Sequence, residues 1–155
     1  MNYIKKRCEQ LGLTLPIVEA RGLYVPYKKT GNQLYFSGQV SRTDDGVIQG
    51  PASNSDIERV QKAARIAALR LISVAADALE DDEKIQLIKL NGYIMSNNDF
   101  TLHAQAMNAA SELFLEVLGE SLGSHARTAL GVYTLPQSGL VELELKCIIE
   151  KKVNL

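Results

Sequence analysis

The chain has 155 residues, 46% of them hydrophobic and 23% charged, with a formal net charge of −1. That length suits a single domain over residues 1–155 with a core of its own, and the balance is that of an ordinary globular protein. Without a basic surplus, nucleic acid is not the expected partner. No apolar run approaches a membrane span, and the charged stretch Met1–Gly12 lacks a leader's apolar core, so the expected location is the cytoplasm.

Asn2 to Leu11 reads as a short helix, and Pro16 stops regular structure. Leu23 to Tyr27 and Gln33 to Gly38 read as two strands of a hairpin around Thr30-Gly31-Asn32. Thr43-Asp44-Asp45-Gly46 is a second turn, followed by a short strand at Val47-Ile48. Asn54 or Ser55 can cap the next helix, whose apolar positions Ile57, Val60, Ala64, Leu71, Val74 and Leu79 recur at near-helical spacing. Ile85 to Met95 is apolar and β-branched, which favours a buried strand. Ser96-Asn97-Asn98-Asp99 supplies the next cap, and Leu102, Ala106, Ala109, Leu113 and Val117 an amphipathic helical face. Gly119 to Ser124 reads as a loop, and Arg127–Thr134 and Leu140–Ile149 as two final strands. This order predicts an α+β layer fold, a mixed sheet with two long helices on one face.

The last two strands read as a second hairpin reversing at Leu135-Pro136. Alternation then puts Leu130 and Val132, with Val141, Leu143, Leu145, Cys147 and Ile149, under the helices. Arg127, Ala129, Gly131 and Tyr133 take the opposite face with Glu142, Glu144 and Lys146. In that register Ala129 lies opposite Glu142, and Arg127 is its diagonal neighbour at roughly 7–8 Å. An arginine there can clamp a carboxylate through two parallel hydrogen bonds, and a glutamate nearby can hold water or move a proton. The competing readings are a structural ion pair of Arg127 with Glu142 or Glu144, and ordinary solvated strand charges. A mixed open face with Tyr133 and small neighbours invites cover by another subunit.

Cys8 and Cys147 read as free core thiols, and neither they nor His103 and His125 show metal-type spacing. No metal or organic cofactor is expected. His125, two residues before Arg127, is a further candidate for the same cleft, while His103 reads as a helix surface or packing residue. No phosphate-binding glycine loop, dinucleotide fingerprint or nucleophile elbow is present.

Tyr24, the Leu34-Tyr35-Phe36-Ser37-Gly38-Gln39 strand, Arg127, Leu135-Pro136 and Val141-Glu142-Leu143-Glu144 together resemble the Rid/YjgF reactive-intermediate deaminase family, also labelled "endoribonuclease L-PSP". The resemblance covers nearly the whole chain. It implies a chorismate-mutase-like fold and a homotrimer with clefts between subunits. It also implies hydrolysis of 2-imino or 2-enamino acids to 2-oxo acids and ammonia. Arg127 matches the arginine that binds the substrate carboxylate, and Glu142 the glutamate linked to water positioning. Tyr24, Ser37 and Gly38 match cleft-lining positions from a neighbouring subunit, and Ala129 stands where many members have cysteine. That difference, and a longer segment before Arg127, suggest a divergent subgroup. The alternatives are a trimer that only binds or senses a small carboxylate metabolite, and the endoribonuclease of the family label, against which the near-neutral charge argues.

Overall fold

The computed structural model describes residues 1–151. Helix α1 (Tyr3–Gln10) is capped by Asn2, whose side-chain oxygen accepts from the Lys5 amide. The Asn2 amide nitrogen donates to the carbonyls of Ala76 and Leu79, so one buried residue starts α1 and satisfies carbonyls at the end of α2. The first hairpin, β1 (Tyr27–Thr30) and β2 (Gln33–Phe36), turns through Gly31-Asn32 as expected. The first strand, however, starts at Tyr27; residues 21–24 are bends rather than the predicted Leu23–Tyr27 strand. Three short strands come next: β3 (Gln39–Val40), then β4 (Arg42–Thr43) and β5 (Gly46–Val47), which pair with each other.

Helix α2 (Ile57–Ala78) begins after a single 3-10 turn, in which Ser53 and Asp56 form the reciprocal cap. The predicted caps, Asn54 and Ser55, lie inside that turn. The central strand β6 (Glu83–Met95) is followed by α3 (His103–Gly123). The segment expected as a loop, Gly119–Ser124, is mostly helix. Gly119 breaks α3 at φ +79°, a conformation that suits glycine, and the helix resumes to Gly123. The chain ends in β7 (Ala126–Val132) and β8 (Val141–Lys151).

The main sheet runs β1-β2-β8-β6-β7, with β3 pairing along β8 beyond β2. Helices α2 and α3 pack on each other and on one face of the sheet, α2 chiefly over β8 and α3 over β6. The core between them is made by alternate strand residues, among them Leu87, Leu90, Ile94, Leu143 and Cys147, against the alanine-rich face of α2 and Met107, Leu113 and Phe114 of α3. The α+β architecture and the one-sided helices are those read from the sequence.

The second hairpin is not formed. Strand β6 lies between β7 and β8, parallel to the first and antiparallel to the second. A parallel neighbour needs a crossover connection, and α3 supplies it. Ala129 consequently stands beside Gly92, not opposite Glu142, and Glu142 stands beside Tyr93. The face assignment of β7 inverts with it. Arg127, Ala129 and Gly131 point to the α3 side, where Arg127 is bonded to helix residues. Exposed Leu130, aligned with Tyr93, lies on the open face with Val132. Glu142, Glu144 and Lys146 remain on the open face, as expected.

A second irregularity sits between β2 and β3. Tyr35 pairs with Lys146 and Gln39 with Leu143, so four residue steps on one strand match three on the other. The extra residue is a bulge at Ser37-Gly38, and it flips the next side chains along the strand to the other face. Tyr35 is exposed on the open face under the Lys146 ammonium, whereas Gln39 is buried toward α2.

Glu83 tests the energetics of the start of β6. It is 1% exposed, and its carboxylate takes two contacts from Lys29 Nζ at 3.0 and 2.9 Å, a third from the Glu80 amide at 3.1 Å, and Lys151 Nζ at 3.5 Å. Burial pushes this carboxyl up, but Lys29, the Glu80 amide and Lys151 outweigh it and the net shift is down. A folded-state value below the unfolded one gives stability that is present above the unfolded pKa and lost as pH falls through the folded one. Glu83→Gln should therefore cost about 1–3 kcal/mol near neutral pH, Lys29 being left half-solvated rather than fully buried. In thermal melts the gap from wild type should narrow as pH drops below about 4; a constant gap would show that the ion pair is not its source.

Candidate functional site

Three of the residues singled out in the sequence, Tyr24, Gly38 and Glu142, converge on one cavity of about 360 Å³. The bulge places them. Gly38 passes so close to β8 that a Cβ built on it would stand 2.9 Å from Glu142 Oε1, so any larger residue must push the carboxylate aside. Ser37 is not a cavity residue. Its hydroxyl donates to the Val25 carbonyl at 2.6 Å and its amide to the Pro26 carbonyl at 2.9 Å, which ties down the segment that carries Tyr24. The turn Pro136–Ser138 closes the far side, with Gln137 and Ser138 both in the left-handed region (φ +55° and +56°). Two successive non-glycine residues held there store strain of a kind common at functional sites.

Glu142 has neither a hydrogen-bond donor nor a cation partner among the described residues. Its neighbour on the same face, Glu144, accepts at Oε1 from Tyr93 (2.5 Å) and Asn91 (3.2 Å). Partial burial, and then the charge of Glu144, push the Glu142 carboxyl above its usual range. A half-buried, unpaired carboxylate with a raised pKa, opening into a cavity, is a candidate proton carrier.

Arg127 lies elsewhere. It aligns with Leu90 of β6, three residues and one sheet face away from Glu142's partner Tyr93. Its guanidinium donates to Asn108 Oδ1 at 2.9 Å, Ser111 Oγ at 3.0 Å and the Ala104 carbonyl at 3.3 Å, all on α3. Neither Glu142 nor Glu144 pairs with it, so the structural ion pair weighed from the sequence is absent among the described residues. His125 Nδ1 lies 2.7 Å from the Gly123 carbonyl, which can only accept, so Nδ1 carries the proton. Its Nε2 then accepts from Ser111 Oγ at 2.9 Å. Arg127, Ser111 and His125 thus form a chain around a small surface hollow at the free edge of the sheet. Ala129 is two residues further along that edge, packed against the core. His103 packs edge-on against Phe100.

The chain matches the family described as YjgF/chorismate mutase-like, putative endoribonuclease, over residues 5–149. It belongs to that family. It is 38% identical to protein TCP17 of Trypanosoma cruzi over 140 residues, 88% of each chain. Protein Atu1372 of Agrobacterium tumefaciens superposes with a TM-score of 0.80 at 33% identity, covering 95% of this chain and 92% of that one. The Escherichia coli protein TdcF, solved with bound serine, superposes with a TM-score of 0.59 at 25% identity, over 87% and 94% of the two chains.

In this YjgF-family chain the cavity beside Glu142 also holds residues that sequence reading missed: Arg21, Arg42 and Arg70, with Gln39 between them. Arg70 left a signal. It sits in the run Ala67-Ala68-Leu69-Arg70-Leu71-Ile72, a lone charge three residues after Ala67 on the apolar stripe of α2. Arg21 and Arg42 lie in irregular or very short segments and left none.

Two variants probe the carboxylate. The folded-state pKa of Glu142 lies above its unfolded value, so its stabilising effect is complete below the unfolded value and lost as pH rises through the folded one. Glu142→Gln removes a buried charge that the fold does not compensate. It should melt above wild type at pH 7 and at the same temperature below pH about 4. Gly38→Ala should leave the fold intact, because Glu142 can swing into the cavity, and should lower the Glu142 pKa toward its unfolded value in an NMR titration. An unchanged titration would mean that Gly38 does not set the position of the carboxylate.

Proposed function

We propose that this protein hydrolyses small 2-imino or 2-enamino acids to 2-oxo acids and ammonia in a cleft completed by a second copy of the chain. The carrying observation is the separation of Glu142 from Arg127. Glu142 stands unpaired in a cavity with Tyr24 and Gly38, Arg127 presents a guanidinium without a carboxylate partner at the sheet's free edge, and β6 keeps the two apart within a chain. A site that uses both takes Arg127 from one copy and Glu142 from another. The closed symmetry that satisfies every copy equally is a ring, and the trimer implied by the sequence resemblance is such a ring. The serine bound to TdcF supports a ligand of amino-acid size bearing a carboxylate.

The chemistry asks little of the protein. An enamine first tautomerises to its imine. Arg127 holds the substrate carboxylate through its fork, and the Asn108 and Ser111 contacts hold the fork. The oxygen of a water bonds to the imine carbon while a proton of that water passes to Glu142. Glu142 returns that proton to nitrogen, which gives the neutral carbinolamine. Glu142 then takes the hydroxyl proton and passes it to nitrogen as the C–N bond breaks, so that the C=O of the 2-oxo acid forms and NH3 leaves. A glutamate with a raised pKa suits both halves of that exchange, and fixing the reactants supplies much of the rate.

The reading in which the same cleft binds a small carboxylate without turning it over differs only in the rate. The ribonuclease reading lacks a basic surplus to hold a polyanion, the formal net charge being −1.

Light scattering should return about three chain masses. With imines generated in situ by an amino-acid oxidase, the wild type should accelerate release of the 2-oxo acid. Arg127→Ala should weaken 2-oxo acid binding at least about tenfold, since each hydrogen bond to a charged group contributes roughly 1.5–3 kcal/mol. Arg127→Lys, which keeps the charge and loses the fork, should fall between. Arg127→Ala and Glu142→Gln chains refolded together should regain rate that neither has alone. No gain in well-mixed oligomers would place the site within one chain and overturn the two-copy cleft; binding without turnover in the wild type would favour the sensor.

A further inference from the structure

The Glu142 cavity has a second, cationic end. Arg70 is 8% exposed, and its Nε donates to Gln39 Oε1 at 3.2 Å. No described residue accepts from its two terminal nitrogens, yet the described structure contains no fully buried polar side-chain atom without a partner. Those nitrogens therefore reach open space, and the open space beside Arg70 is this cavity, its continuation of about 460 Å³ past Arg21, Arg42 and Thr43, and a further hollow of about 260 Å³ toward Thr14, Pro16 and Leu69. Arg42 donates to the side-chain oxygen of Gln137, a residue held in the left-handed region. Among the described residues, none of the three guanidiniums has a carboxylate within 4.0 Å. Glu19 and Asp44 lie on the rim of the hollow without closing that distance.

Charges of one sign do not gather beside a buried member of their own kind without compensation. Burial depresses the Arg70 guanidinium, Arg42 and Arg21 depress it further, and Asp44 offsets them only in part, the net shift being down; Arg42 is lowered by burial and then by Arg21. The fold thus holds a mutually repelling group of cations, one of them desolvated, with a fork of donors facing a cavity. Neutral or cationic ligands would leave that repulsion standing. A compact anion would relieve it through charge-assisted hydrogen bonds.

We propose that Arg21, Arg42 and Arg70 form an anion subsite that receives a second acidic group, a carboxylate or phosphate, on the far end of the acid bound beside Glu142. The inference rests on the reading of that cavity as the substrate site and adds the class of acid accepted: 2-imino or 2-oxo acids with an anionic side chain over those with an apolar one. Gln39 orients Arg70, and the bulge at Ser37-Gly38 turns Gln39 toward it. The carboxylate next to the reacting carbon belongs to Arg127 of a neighbouring copy, so the two anionic ends of the ligand are held by different chains.

The test is calorimetric titration with 2-oxobutyrate, 2-oxoglutarate and inorganic phosphate on wild type and on Arg42→Gln, Arg21→Gln and Arg70→Gln, with melting temperature and light scattering on each. In wild type 2-oxoglutarate should bind at least about tenfold tighter than 2-oxobutyrate, and phosphate should compete with the former. In Arg42→Gln the preference should largely vanish while 2-oxobutyrate binding is kept. Without ligand Arg42→Gln should melt at or above wild type, and 2-oxoglutarate should raise the wild-type melting temperature more than the variant's. If Arg70→Gln does not fold, exposed Arg21 and half-buried Arg42 carry the test. Equal affinity for mono- and diacid, or a preference that survives Arg42→Gln and Arg21→Gln together, overturns the subsite. So does a loss of oligomer in those variants with anion binding unchanged, which would make the cluster a contact between chains. Arginine-dependent binding of 2-oxoglutarate or phosphate with no turnover of any imine would leave the subsite standing and remove the deaminase. Turnover that ignores the side chain's charge and the Arg42→Gln change would do the reverse.

Discussion

The constraint on which the site depends is the position of β6. A strand of thirteen residues, buried on one face by α3, pairs along both edges and sits between the two segments that carry the chemistry. The crossover through α3 allows β7 to run parallel to β6, and β8 fills the other edge. Adjacent side chains in such a sheet alternate between faces. A difference of three residues in alignment therefore leaves Arg127 under α3 and Glu142 on the open side. No rotamer of either residue undoes that. On the proposed reading these are two half-sites, facing different directions, that a second copy unites.

Several charges have plain structural partners. Asp56 is held low first by the Ser53 amide, then by Arg59 and the Ser53 hydroxyl against some burial, and it caps α2. Glu83 is buried but surrounded by two ammonium groups and an amide. Arg65 meets Glu116 across the helices at 3.0 Å. Against that background half-buried Glu142 has neither an opposite charge nor a hydrogen-bond donor, and Arg70, 8% exposed, has no opposite charge, among the described residues. An unpaired, buried charge is destabilising, and on the proposed reading a bound ligand offsets that cost.

Element types were legible in the sequence because periodicity and caps are local: α2, α3, the β1–β2 turn and the two long final strands all follow from spacing. So were the residues that carry the family likeness. Pairing was not legible. Leu135-Pro136 followed by an alternating strand looks like a hairpin, and the same alternation is satisfied by insertion of β6, since both arrangements bury Val141, Leu143 and Cys147. Sequence alternation fixes which residues of one strand share a face. It does not fix which face of β7 matches which face of β8 when another strand lies between them. Arg70 could have been noticed as a charge on an apolar stripe; Arg42, two residues past a two-residue strand, could not.

The bulge at Ser37-Gly38 explains why a cavity exists at this point of the sheet. Strand β2 pairs β8 at residues 146–148 and β3 pairs it at 142 and 143, leaving Glu144 and Leu145 between the two paired stretches. At that gap the Ser37 amide and hydroxyl turn to the Pro26 and Val25 carbonyls instead of the ladder. The edge opens, and the inserted residue reverses the parity of the residues after it. Tyr35 thus remains on the open face while Gln39 passes to the helix side and meets Arg70. Had the register run through without the extra residue, Gln39 would lie on the open face beside Glu142 and Arg70 would be buried without an acceptor, an arrangement costing several kcal/mol by the usual penalty for a desolvated charge. One additional residue in one strand thus makes the space, aims the carboxylate through Gly38, and gives Nε of the buried arginine its acceptor. The cavity, with its acid at one end and its guanidinium groups at the other, is opened by strand register and closed by the segments that carry Arg21, Tyr24 and Gln137.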